Sequence, residues 1–254
     1  MKLHYRTIGE GQPLFILHGL FGSSDNWQTL GKKFAETYKV YFVDQRNHGH
    51  SPHTNDFSYD LMVEDFHELV QYTGEKNIRI LGHSMGGKTA IGYAAKYGNN
   101  IQKMIVADIS HKAYPMHHDH ILEGLHAIDL NVIKSRNEAE KKLEEYIPQF
   151  GVRQFLLKNL YWAEPGVQLA WRINLPVLSK EIDKILIEIP FDKIETETLF
   201  IRGELSNYIL ESDYPGIHEK FPHSKIHTIK NAGHWVHAEA PEEFFNVVMD
   251  FLEQ

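Results

Sequence analysis

The sequence contains no cysteine. That excludes a disulfide framework, a thiolate nucleophile and any zinc or iron–sulfur site built on thiolates. It has no apolar run near the roughly 20 residues a membrane-spanning helix requires, and its opening stretch, MKLHYRTIGEGQP, lacks the apolar segment of a secretion signal. Nor is there an excess of positive charge: 26 Lys and Arg stand against 34 Asp and Glu, a formal balance of −8. Without a basic block, neither nucleic acid nor an anionic membrane is an expected partner. Internal repeats, low-complexity tracts and Ser/Gly linkers are missing too. The expectation is a cytoplasmic globular protein of 254 residues, 42% of them hydrophobic, long enough to bury a full core.

Histidine, by contrast, is abundant, with 17 in the chain. The densest cluster is His111, His117, His118 and His120 with Asp119. Neither an HExxH helix nor a facial-triad spacing accompanies it, so it reads as a solvated helix start and no metal is expected.

Short apolar runs alternate with helical periodicities along most of the chain. Strand-like segments fall at residues 2–8, 14–17, 39–44, 78–81, 103–109, 198–202 and 225–229; helical ones fall at 58–73, 85–97 and 241–252. This rhythm predicts an α/β fold: a mainly parallel twisted sheet with helices on both faces, its functional groups gathered at the carboxyl ends of the strands. The rhythm breaks between 109 and 198, where helical patterns near 117–130, 136–147, 151–161 and 177–189 leave little strand signal. The expected organisation is a core of residues 1–110 and 191–254, with 111–190 inserted as a helical cap that shapes the pocket and excludes water.

The segment Gly82-His83-Ser84-Met85-Gly86 is a G-x-S-x-G element between an apolar strand and a small-residue helix, the context that turns the pattern into a nucleophile elbow. A serine hydroxyl is a weak nucleophile until a base takes its proton. His234, after Gly233 in the loop behind the last strand, is the candidate base; His237 lies closer to the helix, and His83 sits inside the elbow. An acid must then hold the imidazole in one tautomer. The loop after strand 198–202 carries Ser206 where Gly-x-x-Asp is usual, so the candidate acid becomes Asp108 at the end of strand 103–109, with Glu204 and Asp213 as alternatives and Ser206 adding a hydrogen bond. Two N–H donors are needed for an oxyanion. Met85 supplies one, and Leu20 in His18-Gly19-Leu20-Phe21-Gly22 the other, with Phe21 next.

Four blocks, at 18–23, 44–51, 82–88 and 233–239, together resemble the α/β-hydrolase superfamily and, more narrowly, bacterial YbfF-type esterases and their mitochondrial relatives. Asn47, Lys88, the 154–158 stretch Gln-Phe-Leu-Leu-Lys and the 171–176 stretch Trp-Arg-Ile-Asn-Leu-Pro point to that branch. The resemblance implies hydrolysis of carboxylic esters, an acid carried at the strand end as at Asp108, and a serine in the usual acid loop as at Ser206. It also implies that Asp44, Arg46 and His48 brace the loop beside the oxyanion turn.

The expected reaction is serine-dependent hydrolysis of short- to medium-chain esters, with no metal or organic cofactor. Acyl-CoA thioester hydrolysis could use the same groups. Peroxidation or carbon–carbon hydrolysis stays open, and so does a sensor that keeps the fold without turnover. Dehalogenation would need a carboxylate where Ser84 stands. Leu20, Phe21, Met85, Tyr114, Trp162, Tyr208 and Trp235 are candidate apolar walls. Arg172, with Lys88 or Arg153, either draws an anionic alcohol or CoA group or is solvated surface. Partners beyond a small-molecule ester or thioester, and the choice between monomer and homodimer, are not set by the sequence.

Overall fold

The computed structural model describes residues 1–115 and 119–254. Its nine strands among these are β1 (Tyr5–Ile8), β2 (Gln12–Leu17), β3 (Tyr38–Val43), β4 (Ile78–His83), β5 (Ile101–Ala107), β6 (Leu160–Glu164), β7 (Gln168–Trp171), β8 (Glu197–Gly203) and β9 (Ser224–Ile229). The helices are α1 (Gln28–Phe34), α2 (Tyr59–Thr73), α3 (Met85–Tyr97), α4 (Asp119–His126), α5 (Arg136–Glu144), α6 (Phe150–Leu157), α7 (Leu175–Lys180), α8 (Asp183–Leu186), α9 (Tyr214–Lys220), α10 (Val236–Glu239) and α11 (Pro241–Glu253). None of the described helices is long and apolar enough to cross a membrane.

Seven strands form one sheet in the order β1-β3-β2-β4-β5-β8-β9. Only the edge strand β1 runs antiparallel; the others pair in parallel. Side chains alternate across a strand, so continuous apolar runs feed two cores. Phe15, Leu17, Ile80, Met104, Val106 and Phe200 pack on one face with α2 and α3. Leu14, Ile16, Leu81, Ile105, Leu199 and Ile201 pack on the other with α1 and α11. This is the doubly covered parallel sheet the sequence predicts.

The stretch between β5 and β8 departs from its helical expectation. The helix expected over 151–161 ends at Leu157, and the chain then forms an antiparallel hairpin of β6 and β7. Tyr161, Trp162 and Trp171 favour strand. Pro165 followed by Gly166 at φ 71° supplies the turn between the strands. The helix expected over 177–189 is two short ones, α7 and α8, and the chain is extended from Ile187.

This inserted stretch leaves and rejoins the sheet side by side. The Tyr114 N–H donates to the Leu186 carbonyl and the Ile189 N–H to the His111 carbonyl, each at 2.8 Å. Beneath them Lys88, on α3 and fully buried, donates from Nζ to the carbonyls of Lys112 (2.8 Å) and Ile187. Tyr59 Oη reaches the Ile185 carbonyl at 2.9 Å. Two asparagines complete the docking: Asn174 bonds to Asn47 through backbone and side chain, and Asn159 Nδ2 donates to the Phe21 carbonyl at 2.6 Å. Asn47 sits at φ 62°, a conformation asparagine tolerates better than most residues, and its side chain gives the insertion something to hold. The histidine cluster falls partly on His117, His118 and the side chain of Asp119, which lie outside the described residues.

Candidate active site

Ser84 occupies the turn between β4 and α3 at φ 52°, ψ −120°, a backbone position that L-residues adopt only under constraint. The constraint is steric. A Cβ on Gly82 would lie 2.4 Å from the Gly86 carbonyl oxygen, and one on Gly86 would lie 2.2 Å from the Leu17 carbonyl oxygen. The two glycines therefore permit a turn tight enough to lift the serine above the sheet edge.

Asp108 directly follows β5, also at positive φ (49°), and is completely buried. Its N–H donates to the Ile201 carbonyl at 2.7 Å. Oδ1 accepts the Gly203 N–H at 2.9 Å, and Oδ2 accepts both the Ser206 hydroxyl and His234 Nδ1–H, the latter at 2.8 Å. A carboxylate this deep requires such partners. On the far side of the ring, His234 Nε2 is 3.0 Å from Ser84 Oγ. The structure thus brings together Ser84, His234 and Asp108 with Ser206 alongside, although they are spread over most of the chain. Because Nδ1 faces a carboxylate, it carries the proton, and Nε2 is left to accept from the serine.

The alternatives are engaged elsewhere. Glu204 accepts the Asn231 N–H at 2.9 Å, and Asp213 pairs with Lys112 Nζ at 2.5 Å. His237 is buried against Trp27, ring centroids 4.2 Å apart, and burial pushes its pKa down to about 3. His83 is committed through Nε2–H to the His234 carbonyl at 2.9 Å, fixing the loop that carries the imidazole. Burial holds His83 well below the ordinary histidine range, which keeps it a neutral donor. Tyr208 stacks on the His234 ring at 3.9 Å.

Met85 N–H lies at the start of α3 and is not spent within the helix. Of the two candidates in the loop after β2, the Phe21 N–H is committed to His48 Nε2 at 3.1 Å, whereas Leu20 N–H has no protein acceptor among the described residues. His48 can accept because its other nitrogen donates to the Arg46 carbonyl at 2.9 Å, and burial lowers its pKa to about 3. Asp44 accepts the Ser24 N–H from the loop after β2 and the His50 N–H from its own loop after β3, which ties the two together. Arg46 points instead to α2 and pairs with Asp65 at 2.6 Å.

A cavity of about 170 Å³ opens over Ser84. Leu20, Phe21, Tyr208 and Trp235 line it as the sequence led us to expect; His83, His120, Ile121, Phe155 and Leu156 complete it. Three of the expected walls do not face it. Met85 contributes backbone at the elbow, Tyr114 stands behind Tyr208 with its hydroxyl on the Tyr208 carbonyl, and Trp162 is carried off by the hairpin. Arg172 is also a correction: it lies over the Tyr161 ring at 4.1 Å and bonds to His50 Nδ1, away from the cavity. Arg153 is buried between Glu140, Glu144 and two carbonyls. The missed walls Phe155 and Leu156 sit in the 154–158 stretch already singled out, but helical periodicity alone did not say which face looks at Ser84.

The doubly covered sheet, the strained serine elbow and the converging histidine and carboxylate define a hydrolase of the α/β class. A family model for the alpha/beta hydrolase fold matches residues 12–132, and the chain belongs to that family. Its relatives include the sn-1-specific diacylglycerol lipase ABHD11 of Mus musculus, 36% identical over 248 residues, spanning 94% of this chain and 80% of the relative. Esterase YbfF of Escherichia coli (strain K12) is 32% identical over 261 residues and 99% of both chains. A solved structure, a marine microorganism esterase, is 42% identical with a TM-score of 0.95 over 98% of this chain and 99% of that one.

Proposed function

We propose that the chain is a serine carboxylesterase acting through an acyl-enzyme, with Ser84 as nucleophile, His234 as base and then acid, and Asp108 as the group that orients it. The observation that carries this reading is the unbroken chain from Ser84 Oγ through His234 to Asp108, 3.0 Å and 2.8 Å per link. In the first half-reaction His234 Nε2 takes the hydroxyl proton as Oγ attacks the ester carbonyl. The developing oxyanion is held by the N–H groups of Leu20 and Met85. Collapse expels the alcohol, protonated by His234, and water enters on the reverse path to release the acid. Residues 111–190 serve as a cap over the bound ester, and a cytoplasmic setting belongs to the same proposal.

Thioester hydrolysis is not favoured. Relatives named esterase and lipase are among those that match, and the three cations weighed in the sequence for a CoA group, Lys88, Arg153 and Arg172, are occupied away from the cavity over Ser84. The test is turnover of p-nitrophenyl esters by Ser84→Ala together with mass spectrometry of the wild type during turnover. The expected results are a loss of at least about 10⁴-fold in kcat and a covalent acyl adduct on the Ser84 peptide. Retention of full turnover by the variant would falsify the mechanism.

A further inference from the structure

We propose that the bound ester spans two cavities, its acyl arm in the inner one above Ser84 and its alcohol arm in an outer one between α6 and α10, which makes the substrate class a short-chain acyl ester of an apolar alcohol. The inference rests on the esterase reading and deepens it. At about 170 Å³ the inner cavity falls below the roughly 300–1,000 Å³ usual for small-molecule sites, so it accepts one short arm. Beside it lies a second cavity of about 420 Å³, with Gly151, Val152 and Lys158 on the α6 side and His237 and Ala238 on the α10 side. Phe155 and Trp235 border both cavities. Their ring centroids are 5.9 Å apart, so the two rings pack on each other as one shared wall; both are only partly buried, so their apolar surface is available to a ligand passing over them.

The chemistry fixes which arm goes where. The leaving oxygen must come to His234 Nε2 to receive its proton, while the carbonyl oxygen points to the Leu20 and Met85 amides. The alcohol arm therefore departs on the His234 side, where Tyr208 stacks on the imidazole at 3.9 Å and the Trp235 ring, 5.5 Å from it, forms the wall shared with the outer cavity. Beyond that wall the outer cavity continues. Lys158 and Gln154 are exposed at its edge, so a polar end on the alcohol can return to water there.

The outer cavity can be filled without touching Ser84. A Cβ added at Gly151 has no atom within 4 Å, and Ala238 is exposed on the opposite wall. Gly151→Phe and Ala238→Phe would be compared with wild type on acetate esters of methanol, butanol and octanol, and on methyl esters of acetic to octanoic acid. For wild type, kcat/KM is expected to climb with alcohol length, by up to about four-fold per buried methylene, and to fall with long acyl chains. Either variant should lose about ten-fold or more on octyl acetate and stay within about two-fold on methyl acetate. Equal losses on both esters, an unchanged octyl preference, or a selective loss on long acyl chains would each overturn the placement. Calorimetric binding of octan-1-ol provides a readout that needs no turnover: binding to wild type that weakens in Gly151→Phe supports the outer site, and binding that is absent or unaltered overturns it. If no ester is hydrolysed while octan-1-ol still binds in this way, the esterase reading fails and the outer site stands.

Discussion

The carboxyl edge of the sheet and the inserted stretch hold their halves of the site by different means. At the sheet edge the main chain does the holding: Ser84 and Asp108 sit at φ 52° and 49°, locked by the Ser84 N–H on the Ala107 carbonyl and the Asp108 N–H on the Ile201 carbonyl. Each such conformation costs about 1–3 kcal/mol and persists only where the surroundings over-determine it, as paired strands do. The insertion is tied down largely by side chains, with Asn159 on the Phe21 carbonyl, Asn174 on Asn47, Tyr59 on the Ile185 carbonyl and Lys88 on two carbonyls at once. Damage at the edge should therefore appear in the chemical step. Damage to the tethers should appear in stability and in the fit of substrate.

The sharpest way to break that contrast is Asp108→Asn. An amide fills the same volume but cannot accept at every position where the carboxylate accepts now: Gly203 N–H, Ser206 hydroxyl and His234 Nδ1–H. Turning its NH₂ toward the ring would favour the wrong imidazole tautomer. We expect kcat to fall about 10³- to 10⁴-fold with KM nearly unchanged, measured on one preferred ester. A milder loss than that of Glu204→Gln or Asp213→Asn would remove Asp108 from the acid position.

Next in size is Lys88→Met, which cuts the tether beneath both ends of the insertion. It orphans the carbonyls of Lys112 and Ile187 at about 1–3 kcal/mol each, partly offset by no longer burying an amine, so a net loss of about 2–4 kcal/mol is expected by urea unfolding. The pH dependence sharpens the test. Burial lowers the Lys88 pKa from its ordinary 10.5 to about 7. Between those values the unfolded chain binds a proton that the folded protein has shed, so this group makes stability rise with pH. The neutral amine still has two N–H donors for its two carbonyls. The gap in stability between wild type and Lys88→Met should therefore widen from pH 6 to pH 9; a gap that stays flat over that range would mean that the buried form is the ammonium.

The same division governs how much the sequence disclosed. The edge was readable because its constraints are local: Gly82 and Gly86 flank the serine at fixed spacing, Asp108 ends an apolar run where a carboxylate needs a reason, and Ser206 stands where an acid is usual. The insertion was less readable because its elements are decided by what they touch. The 160–171 hairpin was hidden in the tail of a helical pattern, although Pro165-Gly166 is a turn signal. Lys88 looked like a surface cation because nothing nearby in the chain tells that Lys112 and Ile187 close over it. The cavity walls His120, Ile121 and Phe155 face Ser84 only through long-range packing.

The smallest expected effect tests whether the edge is as redundant as its hydrogen bonds imply. Ser206→Ala removes one of two donors on Asp108 Oδ2, while His234 Nδ1–H stays on that oxygen and Gly203 N–H on the other. Losing a hydrogen bond to a charged group costs about 1.5–3 kcal/mol, offset where the remaining donors tighten, so a stability loss of about 1–2 kcal/mol is expected. The imidazole keeps its tautomer and its distance to Ser84, because both are set by the carboxylate and by the His83 bond to the His234 carbonyl. Turnover should then stay within about ten-fold of wild type. If Ser206→Ala loses as much kcat as Asp108→Asn, the hydroxyl and carboxylate act as one unit, and the edge is held by side chains as much as the insertion is.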